Sequence, residues 1–115
     1  MMRSTFGLAV MGLPIAAHAY DAIGNESGCD RVMGREESSD NLFILWPAMI
    51  ERWESNCTIV GLEGDLDTGS VIHTSCEGEG STWSQSYGMT PVDDDLYTIW
   101  PVEAPEQIFE LRQCA

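Results

Sequence analysis

Along residues 81–90 the side chains alternate without a break, with Trp83, Gln85, Tyr87 and Met89 on one side and Thr82, Ser84, Ser86 and Gly88 on the other. A period of two over that length predicts a half-buried strand whose hydroxyl-rich side faces water. Residues 70–76 divide in the same way, and Ile72, Thr74 and Cys76 form the side expected to be buried, leaving Val71, His73 and Ser75 outside. A third β-type run covers residues 57–62. The acidic, glycine-containing links 63–69 and 77–80 carry turn chemistry, so residues 57–90 predict a three-stranded antiparallel meander. Residues 42–46 are a dense apolar run, expected to be a strand covered on both faces or packed at a barrel seam, and Pro47 ends it.

The next few positions carry two periods at once. Trp46, Ile50 and Trp53 recur at helical spacing, with Pro47 in a permitted first-turn position, while Met49, Glu51 and Trp53 also alternate. The expectation is one helical turn or a tight bend, followed by a strand over about residues 52–62. Asp93, Asp94 and Asp95 form a polar turn before a strand at 96–100, and residues 101–106 form a looser link to a last strand at 108–114. About six strands with short links in under 100 residues predict an all-β fold, a small antiparallel barrel or a two-sheet sandwich.

The N-terminal stretch is not part of that pattern. Arg3, an uncharged apolar run over 5–17 and Ala17-His18-Ala19 have the layout of an export leader with its cleavage site, expected to span residues 1–19. The apolar run is shorter than the roughly 20 residues a bilayer requires, so no membrane insertion is expected after cleavage. Residues 20–41 are polar and acidic and predict an arm pinned by Cys29, ahead of a β domain over 42–115. The mature protein is expected in the periplasm or outside the cell.

Charge then narrows the partners. The 115-residue chain has a net charge of −14, with 19 acidic residues and no lysine, and loss of Arg3 with the leader makes it −15. Nucleic acid is excluded, because binding its phosphates needs lysine and arginine. An anionic membrane surface is excluded on the same ground. Solubility in salt-rich surroundings is the expected use of so much acid, ahead of a cationic target.

A core of about 95 residues is only marginally stable by burial alone. Four cysteines, Cys29, Cys57, Cys76 and Cys114, in an exported chain therefore predict two disulfides. Three connectivities are possible. The favoured one joins Cys29 to Cys57 and Cys76 to Cys114, tying each end of the chain to the central meander. No Cys-x-x-Cys pair exists and His73 is the sole mature histidine, so neither a metal nor a cofactor is expected.

Other candidate chemistry is sparse. Asp65-Leu66-Asp67-Thr68-Gly69 invites a calcium reading but places Gly69 and Cys76 where an EF-hand loop needs ligands, so a solvated turn is expected there and at Asp93–Asp95. Any Ser-His-acid arrangement must use His73, and no nucleophile elbow lies near it; Ser75 is only its same-face neighbour. Glu77 and Glu79 form too common a pairing in so acidic a chain to signal glycosidase chemistry. No catalytic residue is expected. Asn25-Glu26-Ser27 and Asn56-Cys57-Thr58 match the glycosylation acceptor pattern. The aromatic residues are more informative: Trp53, Trp83, Tyr87, Tyr97 and Trp100 are candidates for a binding patch at a barrel rim, alongside the core role expected of most tryptophans, Trp46 included.

Glu54-Ser55-Asn56-Cys57-Thr58-Ile59, then Cys76-Glu77-Gly78-Glu79-Gly80-Ser81-Thr82-Trp83, then Leu111-Arg112-Gln113-Cys114 resemble a pattern in small exported bacterial proteins with four cysteines, over about residues 40–114. The resemblance implies export and a β fold and transfers no functional residue, since that group has no agreed activity. The general plan is also similar to that of small periplasmic β-barrel protease inhibitors, a likeness of architecture alone. The expected function is a monomeric, non-enzymatic binding module of the cell envelope, taking a protein or a small ligand. The alternative is an inhibitor of a secreted or periplasmic hydrolase, for which residues 20–30 and 63–69 would be the inserting segments.

Overall fold

The computed structural model describes residues 21–35 and 39–114. The expected leader, and Glu36, Glu37 and Ser38, lie outside them. Eight antiparallel strands close a barrel in simple chain order: β1 (Ile23–Gly24), β2 (Phe43–Leu45), β3 (Met49–Arg52), β4 (Ser55–Asp65), β5 (Gly69–Gly78), β6 (Ser81–Asp93), β7 (Leu96–Pro101) and β8 (Phe109–Gln113). The ring closes where β1 pairs with both β2 and β8, Ile23 lying opposite Leu45 on one side and Gln113 on the other. Of the two architectures open to the sequence, the barrel is the one formed.

Two strands exceed the expected six, and each has a local cause. The segment expected to begin a strand at Arg52 instead folds as a hairpin. Arg52 pairs with Ser55 across the two-residue turn Trp53-Glu54, where Glu54 takes a left-handed φ of 60°. The bend expected after residue 46 is present, and its hydrogen bond runs from Trp46 N to Met49 O. The arm supplies the other strand, because two residues suffice to bridge β2 and β8. The β5–β6 turn at Glu79-Gly80 has φ of 51° and 81°, the paired left-handed geometry that suits the twist of a two-residue hairpin.

Alternation places Phe43, Leu45, Ile50, Ile72, Met89, Ile99 and Leu111 inside, each almost wholly buried. Ile72, Thr74 and Cys76 point inward as expected, and Phe43 meets Tyr87 edge-on at 5.5 Å and Phe109 at 4.9 Å. Strand β6 departs from its expected outer face at one point. Gly88 lies opposite Trp100 of β7 and is buried beneath it, and a Cβ added there would sit 2.6 Å from the indole. An aromatic ring covering a glycine across the ladder restores the contact that the missing side chain gives up. Gly88→Ala is expected to cost about 1–3 kcal/mol by displacing that ring, read as a fall in Tm.

Both disulfides are formed, but not in the favoured pairing. Cys57 and Cys76 are direct partners across β4 and β5, and Cys29 joins Cys114. The expectation took the central cysteines as anchors for the two chain ends. The meander instead brings them opposite each other, and barrel closure brings the chain ends together. Two disulfides in one small domain mean an oxidising, non-cytoplasmic setting.

The polar arm also holds a helix, α1 (Glu26–Val32). Asn25 caps it by accepting from Gly28 N at 2.9 Å, and the same Oδ1 accepts from Phe43 N at 3.1 Å while Nδ2 donates to Asn41 O at 2.6 Å. That side chain is committed to the fold, joining the helix start to the 41–43 segment. Seven residues form too short a helix to stand alone. It is held by Cys29–Cys114, by Arg31–Glu51 at 3.1 Å and by the close seat of Gly28 on the Phe43 carbonyl.

Candidate functional site

The two ends of the barrel differ in chemistry. At the upper rim, the β3–β4 hairpin carries Trp53 and the longer β5–β6 hairpin carries Trp83, which lies directly opposite the buried Cys76. The hairpins touch, since a Cβ on Gly78 would meet Glu54 O at 2.6 Å. Between them opens a cleft of about 200 Å³ lined by Trp53, Trp83, Tyr87, Gln85, Arg52 and Asp40. Trp53 is 37% and Trp83 39% exposed, whereas Tyr87 is buried and forms the floor. Trp83 has inward parity on its strand and yet meets solvent, because β5 and β6 run past the rim.

Of the five aromatic residues expected to form a patch, the structure therefore gathers Trp53, Trp83 and Tyr87. Trp100 lies on the outer wall over Gly88, and Tyr97 packs against the core near the other end. Neither reaches the cleft, because their positions on β7 fall on different faces and below the overhang. Arg52 was invisible as a site residue: its place in the barrel depends on the β3–β4 hairpin that sequence periodicity left open.

No family model, curated protein or solved structure matches this chain. Function must therefore be read from the geometry of the sites themselves.

The lower rim is apolar. Ile59, Ile72, Leu45 and Trp46 line a pocket of about 210 Å³, and the β4–β5 hairpin hangs over it with Leu62 at 53% and Leu66 at 40% exposure. A bulge at Val60 shifts the β4 register so that Leu62, rather than Gly61, lies opposite Ile72. At the tip, Asp65 Oδ1 accepts from Asp67 N at 2.7 Å, and Asp93 Oδ1 accepts from Asp95 N at 3.1 Å in the β6–β7 turn. Both acidic stretches thus use their carboxylates to close turns.

His73 has partners that sequence spacing could not show. On the outer wall its Nδ1 lies 2.8 Å from Ser86 Oγ and its Nε2 2.7 Å from Glu63 Oε2, linking β4, β5 and β6. The order is that of a hydroxyl, an imidazole and a carboxylate. Ser86, however, sits within a strand on the barrel wall, where neighbouring backbone amides are engaged in the ladder rather than aimed at a developing oxyanion. The trio acts as a staple across three strands.

Near the cleft, the Glu54 carboxyl is held above its ordinary 4.5, first by a hydrogen bond to Glu79, then by desolvation and by the Glu79 charge. A raised carboxyl contributes stability that is complete below pH 4.5 and is lost as pH rises through the raised value. Glu79→Gln is therefore expected to lessen the fall in Tm between low pH and pH 7, as thermal melts across that range will read.

Proposed function

We propose that this protein is a non-enzymatic binding module, periplasmic or secreted, that takes a small ligand in the upper-rim cleft. The observation that carries this reading is the pairing of two half-exposed tryptophans above a buried tyrosine in an otherwise acidic, well-packed barrel. Indole faces left open to water at a concave site supply large contact area at little entropic cost, which is the physics of recognition rather than of core packing. Small aromatic and alicyclic probes are expected to shift the indole N–H resonances of Trp53 and Trp83 and to leave that of Trp100 unmoved. Trp83→Ala should weaken their binding about tenfold or more, as loss of an aromatic anchor does. Shifts spread over all the tryptophans, or none, would refute the assignment. A fluorophosphonate probe is expected not to label Ser86; labelling abolished by His73→Ala would make the protein a hydrolase instead.

A second reading has its own observation. Leu66, exposed between Asp65 and Asp67 at the tip of an overhanging hairpin, suits insertion into the cleft of a cationic hydrolase. Stoichiometric slowing of a basic lysozyme or protease, lost in Leu66→Asp, would favour it.

A further inference from the structure

The cleft floor holds a cation that the fold leaves partly unused. Three of the four arginines in the described residues pair with carboxylates: Arg31 with Glu51, Arg35 with Asp30 and Arg112 with Asp95. Arg52 makes no ion pair among the described residues, in a chain with 19 acids. It points into the mouth of the barrel, its guanidinium carbon 4.8 Å from the centre of the Phe43 ring and 4.7 Å from that of Phe109. Nε donates to Leu42 O at 3.0 Å and Nη1 to the Tyr87 hydroxyl at 3.3 Å. A guanidinium has five N–H donors, so the second hydrogen of Nη1 and both of Nη2 remain.

The position is fixed before any ligand arrives. Two aromatic rings and two hydrogen bonds hold the plane of the group, which removes the side-chain entropy that an exposed arginine would lose on binding. A half-buried guanidinium favours an anion strongly, and a carboxylate can accept from Nη1 and Nη2 together. The same cleft presents Trp53 and Trp83 for the body of the molecule. Its volume of about 200 Å³ is below the roughly 300 Å³ at which drug-sized pockets begin, so the molecule is small. Asp40, on the cleft wall, and the overall charge of the chain oppose a second negative group.

From this we infer that the upper-rim cleft is a monocarboxylate site: Arg52 receives the carboxylate, and Trp53 and Trp83 receive an attached ring or apolar body. The inference rests on the cleft being the ligand site and adds the chemical class of the ligand.

The test compares an acid with its amide on the unaltered, disulfide-bonded protein. Phenylacetate and phenylacetamide are titrated at low ionic strength while the Arg52 Nε–H and tryptophan indole resonances are followed. Phenylacetate is expected to move Arg52, Trp53 and Trp83 together and to bind about tenfold tighter than the amide, the ratio one charge-assisted hydrogen-bonded pair supplies. Added salt should narrow that ratio. Equal binding of acid and amide at the tryptophans would overturn the carboxylate assignment and leave the cleft as a ligand site. No movement at either tryptophan would overturn both. Arg52→Lys, which keeps the charge and loses the fork, should lower the acid's affinity towards that of the amide. N-acetylphenylalanine and glucuronate then separate a peptide C-terminus from a sugar acid as the source of the carboxylate.

Discussion

Replacing Cys29 and Cys114 together with alanine is expected to lower the unfolding free energy by about 4–5 kcal/mol. The bridge spans a sequence separation of 85, and the chain-entropy model gives about 4.6 kcal/mol for a loop of that length. A domain of this size has only about 5–14 kcal/mol to lose. The bridge also stands at the weakest seam: β1 has two residues, and its ladder to β8 is two pairs long. Urea unfolding with and without the pair measures the effect. A loss below about 1 kcal/mol would mean that barrel closure does not depend on the bridge. The pairing itself has a direct check, because the chain has no lysine and trypsin cuts only at arginine. An unreduced digest is expected to link the peptide carrying Cys29 to the C-terminal one carrying Cys114, while Cys57 and Cys76 stay bridged within the single long peptide between Arg52 and Arg112. The alternative pairing would join all three.

Phe43→Ala is expected to cost about 3–5 kcal/mol. The ring is fully buried, meets Tyr87 and Phe109, and covers one face of the Arg52 guanidinium. Its removal leaves a cavity and strips a half-buried cation of a favourable contact, so the loss should lie towards the upper end of that range. Phe43→Leu, which keeps most of the volume and loses the π-face, separates the two contributions. If Leu recovers nearly all of the stability, the ring matters to Arg52 only as bulk. Chemical denaturation of the three proteins, with m-values compared to check that the unfolding reaction is the same, decides it.

The helix shows how a readable signal can be passed over. Asn25 before Glu26, Arg31 in the last turn and Gly34 beyond it, with its φ of 78°, are start and stop marks for a short helix. They were masked by the absence of an apolar stripe, because this helix docks through backbone contact at Gly28 rather than through large side chains. The split of residues 49–62 into β3 and β4 was masked differently. A hairpin turn at Trp53-Glu54 has neither glycine nor proline, and Glu54 adopts its left-handed conformation only because the paired strands impose it.

What the chain alone determined was everything that depends on near neighbours: the period of two along β5 and β6, the acidic turns between them, an all-β domain and an even number of cysteines that stabilise a small core. Those features act over a few residues, and they survive whatever the distant parts do. Tertiary structure decided which sulfurs meet, how β1 closes the ring and which hairpins overhang the rim. Only the registers of the assembled strands set Trp53 beside Trp83, put Arg52 beneath them and join Glu63, His73 and Ser86 on the wall. Each such meeting depends on the register between strands, and a shift of one residue turns a side chain from the inside of a barrel to the outside.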